Sequence, residues 1–464
     1  MWLQEFEHHR AVLIDGATGD VATRADIEAR ADRLRAEVVS GGLAFLLAEP
    51  TLDSATTFHA LLAARIPVAL VDGTASAETT AALIDRYRPE VVLRGRVAEG
   101  PTTAVAGTDR AATASSPTTH PDLAVLLTTS GSTGSPKLVR LSHRNISTNA
   151  QQIARSLSLT SADRGITALP FHYSFGMSVL TSHASVGSPV VVTGASVLEP
   201  ELWEQIDAHG VTLFPGVPQT YQMLRRLRFA SKPLSTVRGL MQAGGRLDPN
   251  LINEFAAVMA DTGGEFFVMY GQTEASPRIA CLPPADLIRK LGSAGKALAG
   301  GTLEARSPDG ATLPAGEAGE IVYTGPNVMM GYAESRADLG LGDTHGDTLE
   351  TGDLGYLDDE GFLFLTGRSK RIAKIAGLRI SLDEVEAMAP ELQATAVEAP
   401  AGTITLTTLV SESDGDGHTR AARELAKSLR VPPKLLRILH IDALPLLPSG
   451  KVDYRALEAL AGQR

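Results

Sequence analysis

Cysteine is almost absent from this chain, with Cys281 alone among 464 residues. That rules out an intrachain disulfide and any cysteine-built metal cluster. Its surroundings, Arg278-Ile279-Ala280-Cys281-Leu282, are mostly apolar, so a buried and inert thiol is expected. Long apolar runs are missing too. No stretch of about 18 apolar residues occurs, so no membrane span is expected. The N-terminus, Met1-Trp2-Leu3-Gln4-Glu5-Phe6-Glu7, lacks the basic-then-apolar order of a signal peptide, and the cytoplasm is the expected location. Positive charge is in deficit: 42 Lys and Arg stand against 53 Asp and Glu, a net charge of -11. The overall basic balance of a nucleic-acid binder is therefore absent, and no nucleic-acid partner is expected. Nor is there a Gly-x-Ser-x-Gly elbow, so serine-hydrolase chemistry has no support.

What is present is ordinary globular material, 44% hydrophobic and 20% charged. At roughly 100–200 residues per domain, the length implies two to four domains. Apolar, strand-like runs alternate with helix-like stretches, which points to an α/β class. The strand-like runs include Leu43 to Leu47, Val68 to Val71, Leu123 to Thr129 and Val190 to Thr193; Ala55 to Arg65 and Asn145 to Leu157 read as helices. Residues 100–121, rich in Thr, Ala, Ser and Pro, read as a surface connection. The texture changes near 361–382. A strand-like Gly361 to Thr366 leads into the charged joint Gly367-Arg368-Ser369-Lys370-Arg371. Then Ser381 and Glu384 open a helix with the spacing of a capping box. An alternating strand from Thr403 to Val410, a helix from Ala421 to Leu429 and a strand from Leu435 to Ile441 follow. The expected division is a large N-terminal α/β domain of packed sheets and helices over 1–369, and a small mobile C-terminal α+β domain over 370–464.

The most informative segment is Leu126-Leu127-Thr128-Thr129-Ser130-Gly131-Ser132-Thr133-Gly134-Ser135-Pro136-Lys137. An apolar strand runs into glycines and hydroxyls, and the run ends in a lysine. Glycines let backbone N–H groups turn inward, hydroxyls add donors, and lysine adds charge, so the loop can cradle a polyphosphate. Pro136 before Lys137 excludes a Walker A loop. A flexible Gly/Ser/Thr linker is the alternative. Against it stand the strand placed directly before and the six hydroxyl residues that precede Pro136-Lys137.

This loop resembles the phosphate loop of the acyl-adenylate-forming superfamily, which includes acyl-CoA synthetases, peptide-synthetase adenylation domains and luciferases. Further blocks match in the same order: Tyr270-Gly271-Gln272-Thr273-Glu274, Thr351-Gly352-Asp353, the hinge opening Gly367-Arg368, Lys374 to Ile380, and Leu447-Pro448-Ser449-Gly450-Lys451-Val452-Asp453. They span residues 128 to 453. One departure is Leu138, where the family usually has glycine after Pro-Lys; altered loop mobility is expected, not lost phosphate binding.

The resemblance implies a reaction in which a carboxylate attacks the α-phosphorus of ATP and expels pyrophosphate, with Mg²⁺ and positive charge at the phosphate. It implies that Thr128, Thr129, Ser130, Gly131, Ser132, Thr133, Gly134 and Lys137 hold phosphates, that Thr273 contacts phosphate, and that Glu274 holds Mg²⁺. Tyr270, with Gly271 and Gln272 beside it, would pack against adenine, and Gly244-Gly245 would let backbone line the base pocket. Asp353 would accept both ribose hydroxyls, assisted by Arg368. Lys451 would reach the charge developing between carboxylate and phosphate. Lys370 would be the hinge about which the small domain rotates, bringing Lys374 and Gly377 to the passage used by the second nucleophile.

Phe171-His172-Tyr173-Ser174-Phe175-Gly176-Met177 falls where the family places its first pocket wall, and Gly216 and Ala275 are further pocket candidates. No acidic residue lies between Asp163 and Glu199, so a substrate ammonium would be buried alone, which is costly. The acid is therefore expected to lack a free α-amino group and to be aryl or fatty. His172 either lies near its carboxylate or packs in an aromatic cluster. Family frequency favours a pantetheine thiol as acceptor, on coenzyme A or on a carrier protein supplied in trans. An amine acceptor and a non-catalytic nucleotide-binding relative are the alternatives, although Glu274, Asp353 and Lys451 are all retained.

Overall fold

A run such as Ala44-Phe45-Leu46-Leu47-Ala48 offers no polar face to water and belongs in a sheet covered on both sides. The computed structural model describes residues 3–94, 118–128, 137–229, 235–368, 371–375, 378–389, 392, 394–399, 403–409, 417–429, 431–446 and 452–462. In it Ala44–Ala48 is a strand buried along its whole length. It lies in a six-stranded sheet ordered Gly331–Ala333, Leu138–Ser142, Leu123–Thr128, Val68–Asp72, Ala44–Ala48, Val91–Arg94. The last four run parallel. Leu138–Ser142 is antiparallel to Leu123–Thr128, and Gly331–Ala333 pairs antiparallel with it as the outer strand. Helices start where the sequence supplies caps: the Thr51 hydroxyl accepts from Ser54 N, and Ser142 with Asn145 forms a reciprocal box.

A second, five-stranded sheet follows. Leu213–Gly216, Gly239–Gln242 and Glu265–Gly271 run parallel, and Arg278–Leu282 and Lys296–Ala297 add antiparallel strands. The helix Ser174–Ala184 is buried over most of its length. It sends Met177, Val179 and Leu180 into one apolar cluster, and Phe175 packs against both that cluster and the one built on Met241, Phe267 and Cys281. As expected, Cys281 is buried and free, and burial pushes its thiol up to about 12.

The chain divides into two compact units, 1–302 with 323–349, and 303–322 with 350–464. The second is built on Thr302–Arg306, Gly319–Thr324, Thr348–Leu357 and Leu363–Arg368, ordered in that sequence. It adds a hairpin, Ile372–Ile375 with Leu378–Ser381, and a three-stranded sheet, Thr395–Ala399, Thr403–Thr408 and Leu436–His440. The helices Leu382–Ala387, Gly417–Ser428 and Tyr454–Gly462 complete it. Its own core centres on Ile375, Val385, Ile404 and Leu406.

The α/β class read from the sequence is the class the chain adopts. Its strand-like and helix-like runs fall on elements within a few residues of their expected ends. Most of the expected connection over 100–121 lies outside the described residues. Among the described residues no helix is long and apolar enough to cross a membrane.

Candidate active site

Three neighbouring strands of the second sheet run parallel. Gly216, Gln242 and Val268 are in register, so Gly216 and Gly244-Gly245 lie at the carboxyl edge, and Glu265–Gly271 runs past it, still paired with Arg278–Leu282, into the Tyr270-Gly271-Gln272 block. In open α/β sheets, that edge is where ligands bind. Two of these glycines are required by the backbone. Gly244 has φ +86°, and a Cβ on Gly271 would stand 2.0 Å from the Pro277 carbonyl oxygen. Gln242 Nε2 donates to Gly245 O at 2.8 Å and fixes the turn.

Past Gln272 the chain makes a single 3₁₀ turn, Thr273–Ala275. Asn327 Nδ2 anchors it from below by donating to Ala275 O at 2.6 Å. Met329 N donates to Glu274 O at 2.8 Å. The Glu274 carboxylate accepts from the Tyr332 hydroxyl at 2.8 Å. Burial first, and then the Glu274 charge, push the Tyr332 phenol well above its ordinary range, so it stays a donor.

The Thr273 hydroxyl meets the Ser174 hydroxyl at 3.2 Å. This contact joins the turn to the segment expected to form the pocket wall. Within that segment His172 is buried, its ring centroid 4.2 Å from that of Tyr173. His172 Nε2 lies 3.8 Å from Asp72 Oδ2. Burial lowers the pKa of His172, and the Asp72 carboxylate partly opposes the shift. Gly176 abuts Pro170, whose carbonyl oxygen would be 2.2 Å from an added Cβ; its backbone role is therefore set by close packing.

Thr128 ends one strand of a hairpin in the first sheet, and Lys137 directly precedes the other, with Thr128 opposite Leu138. Thr129, Ser130, Gly131, Ser132, Thr133 and Gly134 lie between them, outside the described residues. The Lys137 ammonium sits 2.5 Å from Glu334 Oε1. Register explains the pair, since Ala333 is opposite Leu138.

In the second unit, Asp353 and Arg368 face each other across antiparallel strands. Arg368 Nε donates to the buried Asp353 Oδ1 at 2.7 Å. Just beyond, Arg371 pairs with Asp383, donates to Glu386 at 2.7 Å and Ala396 O at 2.8 Å, and stacks 4.3 Å over the Tyr454 ring. Lys370, Gly377 and Lys451 fall outside the described residues, as does the Lys374 side chain. Leu446 and Val452 form an antiparallel bridge that brackets the segment 447–451.

Among the described residues no group of three or more His, Cys, Asp or Glu side chains is placed to hold a metal ion. A lone carboxylate, Glu274, nonetheless fits Mg²⁺. That ion keeps several waters and takes its other ligands from substrate phosphates.

Sequence reasoning missed Asp72, Tyr332, Glu334, Arg371 and Arg278. Asp72 meets His172 only through the fold. Tyr332 and Glu334 reach the site because Gly331–Ala333 pairs with Leu138–Ser142, a strand far earlier in the chain. Short Gly-Tyr-Ala-Glu alternation carries no signal of that pairing.

The AMP-binding enzyme family pattern matches residues 7–333. The feruloyl-CoA synthase of an Amycolatopsis species is 29% identical over 346 residues, 71% of this chain and 68% of that protein. The 2-succinylbenzoate–CoA ligase of Bacillus velezensis is 32% identical over 351 residues, 73% and 69% of the two chains. The o-succinylbenzoate coenzyme A synthetase of Bacillus subtilis, solved in complex with AMP, superposes with a TM-score of 0.78 at 25% identity, covering 98% of each chain.

Proposed function

The chain belongs to the AMP-binding enzymes, and on that premise we propose how its residues divide the work of an acid ligase. It is an ATP-dependent, AMP-forming enzyme that joins a carboxylic acid to AMP with release of pyrophosphate, then passes the acyl group to the thiol of coenzyme A. The acid is of the aryl or fatty kind without a free α-amino group. A phosphopantetheine carrier protein would present the same thiol.

The observation that carries the assignment of residues is the Thr273–Ala275 turn. It hangs between the carboxyl edge of the parallel strands, the Ser174 hydroxyl and the Tyr332 hydroxyl. On our reading this turn is where the two reactants meet. Thr273 donates to the α-phosphate, and His172 to Gly176 with Gly216 and Ala275 form the acid side. Tyr270, Gly271, Gln272, Gly244 and Gly245 enclose the base. Thr128 to Gly134 and Lys137 hold the β- and γ-phosphates. When bound, Mg²⁺ neutralises phosphate charge, and Glu274 is the residue that would hold it, oriented by Tyr332.

Asp353 accepts from the ribose hydroxyls, and Arg368 holds its carboxylate in place. Lys451 stabilises the charge shared by the attacking carboxylate and the α-phosphate. We further propose domain alternation. Residues 370–464 rotate about Lys370 after the adenylate forms, withdrawing Lys451 and turning Lys374 and Gly377 toward the incoming thiol. We place the reaction in the cytoplasm, which supplies ATP and coenzyme A.

The deciding experiment is pyrophosphate release from ATP and Mg²⁺ across aryl, fatty and amino acids, with hydroxylamine as surrogate acceptor. Release with an aryl or fatty acid supports the reading. Release with amino acids alone would overturn the acid class, and silence from every acid would overturn the enzyme.

A further inference from the structure

Three arginines of the first unit are buried, and the fold treats them differently; Arg336 pairs with Glu90 at 2.8 Å. Arg140 donates to the carbonyls of Met330, Tyr332, Leu341 and Gly342 and to the Thr344 hydroxyl. Its guanidinium is satisfied by structure. Arg278 is 2% exposed. Its Nη2 reaches only the Ser178 hydroxyl, at a long 3.5 Å. Its Cζ lies 4.6 Å from the centre of the Phe175 ring. Its Nε has no hydrogen-bond partner, and among the described residues no carboxylate pairs with it. Desolvation accordingly pulls its pKa down to about 10. A buried cation without an anion is strongly unfavourable, so a fold that retains one holds it for something that arrives later.

The surroundings say where that something arrives. Phe175 and Ser178 belong to the helix that continues the pocket wall, and Arg278 follows the Thr273–Ala275 turn by three residues. Two more buried nitrogens without hydrogen-bond partners, Gln272 Nε2 and His172 Nε2, lie on the same two segments, the latter 3.8 Å from Asp72 Oδ2. The Ser174–Thr273 contact ties those segments together. Three buried nitrogens without hydrogen-bond partners therefore gather on 172–178 and 272–278.

We propose that Arg278 reads a second carboxylate on the substrate. The enzyme activates a dicarboxylic acid, offering one carboxylate to ATP and seating the other against the Arg278 guanidinium. This rests on the acid-ligase reading above and narrows it. The wall segment 171–177 has no acidic residue of its own, and Asp72 beside it faces His172; the buried guanidinium adds a demand that a wholly apolar acid leaves unmet. Phe175 shields the ion pair from water on one face, which strengthens it.

The test uses the purified full-length chain with Arg278→Met and Arg278→Lys, and matched acids that differ only by a distal carboxylate: phenylpropanoate against carboxyphenylpropanoate, and hexanoate against adipate. Wild type is expected to favour diacids in kcat/KM for pyrophosphate release by on the order of 100-fold. Arg278→Met brings that ratio close to one, and Arg278→Lys keeps part of it. Removing an unpaired buried charge also leaves the melting temperature of Arg278→Met no lower than wild type. An unchanged ratio in Arg278→Met, or equal losses for monoacids and diacids, overturns the proposal. So does an unfolded Arg278→Met together with an Arg278→Lys that shows no diacid preference. Calorimetric binding of the diacids separates the two readings. If no acid releases pyrophosphate, the ligase reading falls. Diacid binding lost in Arg278→Met would then still support Arg278 as a carboxylate site, and absent binding would sink it.

Discussion

The Tyr332 hydroxyl donates to Glu274 Oε1 across 2.8 Å, so the carboxylate assigned to Mg²⁺ is aimed by a residue from a different sheet. Removing one hydrogen bond to a charged group costs about 1.5–3 kcal/mol. Tyr332→Phe should therefore lower kcat/KM for adenylation by on the order of tenfold or more. It should also raise the Mg²⁺ concentration needed for half-maximal rate. A variant with an unaltered Mg²⁺ titration would show that Tyr332 does not orient Glu274.

Glu334 holds the Lys137 ammonium at 2.5 Å, and both side chains are substantially exposed. On the proposed role of Lys137, ATP draws it away from that partner. Exposed ion pairs are worth about 0.2–1 kcal/mol, so Glu334→Gln should lower KM for ATP by roughly two- to fivefold. Adding salt should narrow the gap between the variant and wild type. A higher KM in Glu334→Gln would mean that the glutamate helps position the lysine.

The two lysines of the small domain should separate the half-reactions. Lys451→Ala is expected to cut adenylation by on the order of 10³-fold, the scale of losing one donor to transition-state charge, while ATP binding persists. Lys370→Pro should preserve adenylation and lose thioester formation. Equal loss of both half-reactions in Lys370→Pro would count against rotation about that residue.

Burial lowers the pKa of His59, His143 and His183 from 6.5 to about 4. The unfolded chain binds protons at these sites below pH 6.5, while the folded chain stays neutral down to about pH 4. Unfolded protein therefore holds more protons across that window, and stability rises with pH through it. The melting temperature should be level above pH 6.5 and fall steadily from there toward pH 4. His183→Leu should flatten the slope in that window by one imidazole's share, His172 and the other buried histidines supplying the rest. A slope that is the same in His183→Leu would refute the assignment.

How legible the protein was from its sequence depended on whether a signal was local. The strand Ala44–Ala48 is visible because a run with no polar residue has one comfortable place. Gly244 and Gly271 are glycines for local backbone reasons, one a positive φ and the other a close approach. Contacts that cross the chain gave no such notice. Asp72 lies a hundred residues from His172, and Tyr332 is fifty-eight from Glu274. Arg371 looked like one member of a charged joint, whereas it pins the helix Leu382–Ala387 through Asp383 and Glu386. Arg278 left no trace at all, because nothing in Pro277-Arg278-Ile279 says that its charge will be buried.

The strand Gly331–Ala333 is the outer edge of its sheet, and it is only three residues long. Short edge strands protect a sheet from pairing with another molecule. Here the same three residues bring Tyr332 to Glu274 and set up Glu334 beside Lys137, clamped from behind by Arg140. A lesion that frays this edge would therefore do two things at once, stripping supports from Glu274 and Lys137, the groups proposed to handle Mg²⁺ and phosphate, and baring Leu138–Ser142 as a template for self-association. Loss of turnover and gain of aggregation would be inherited together.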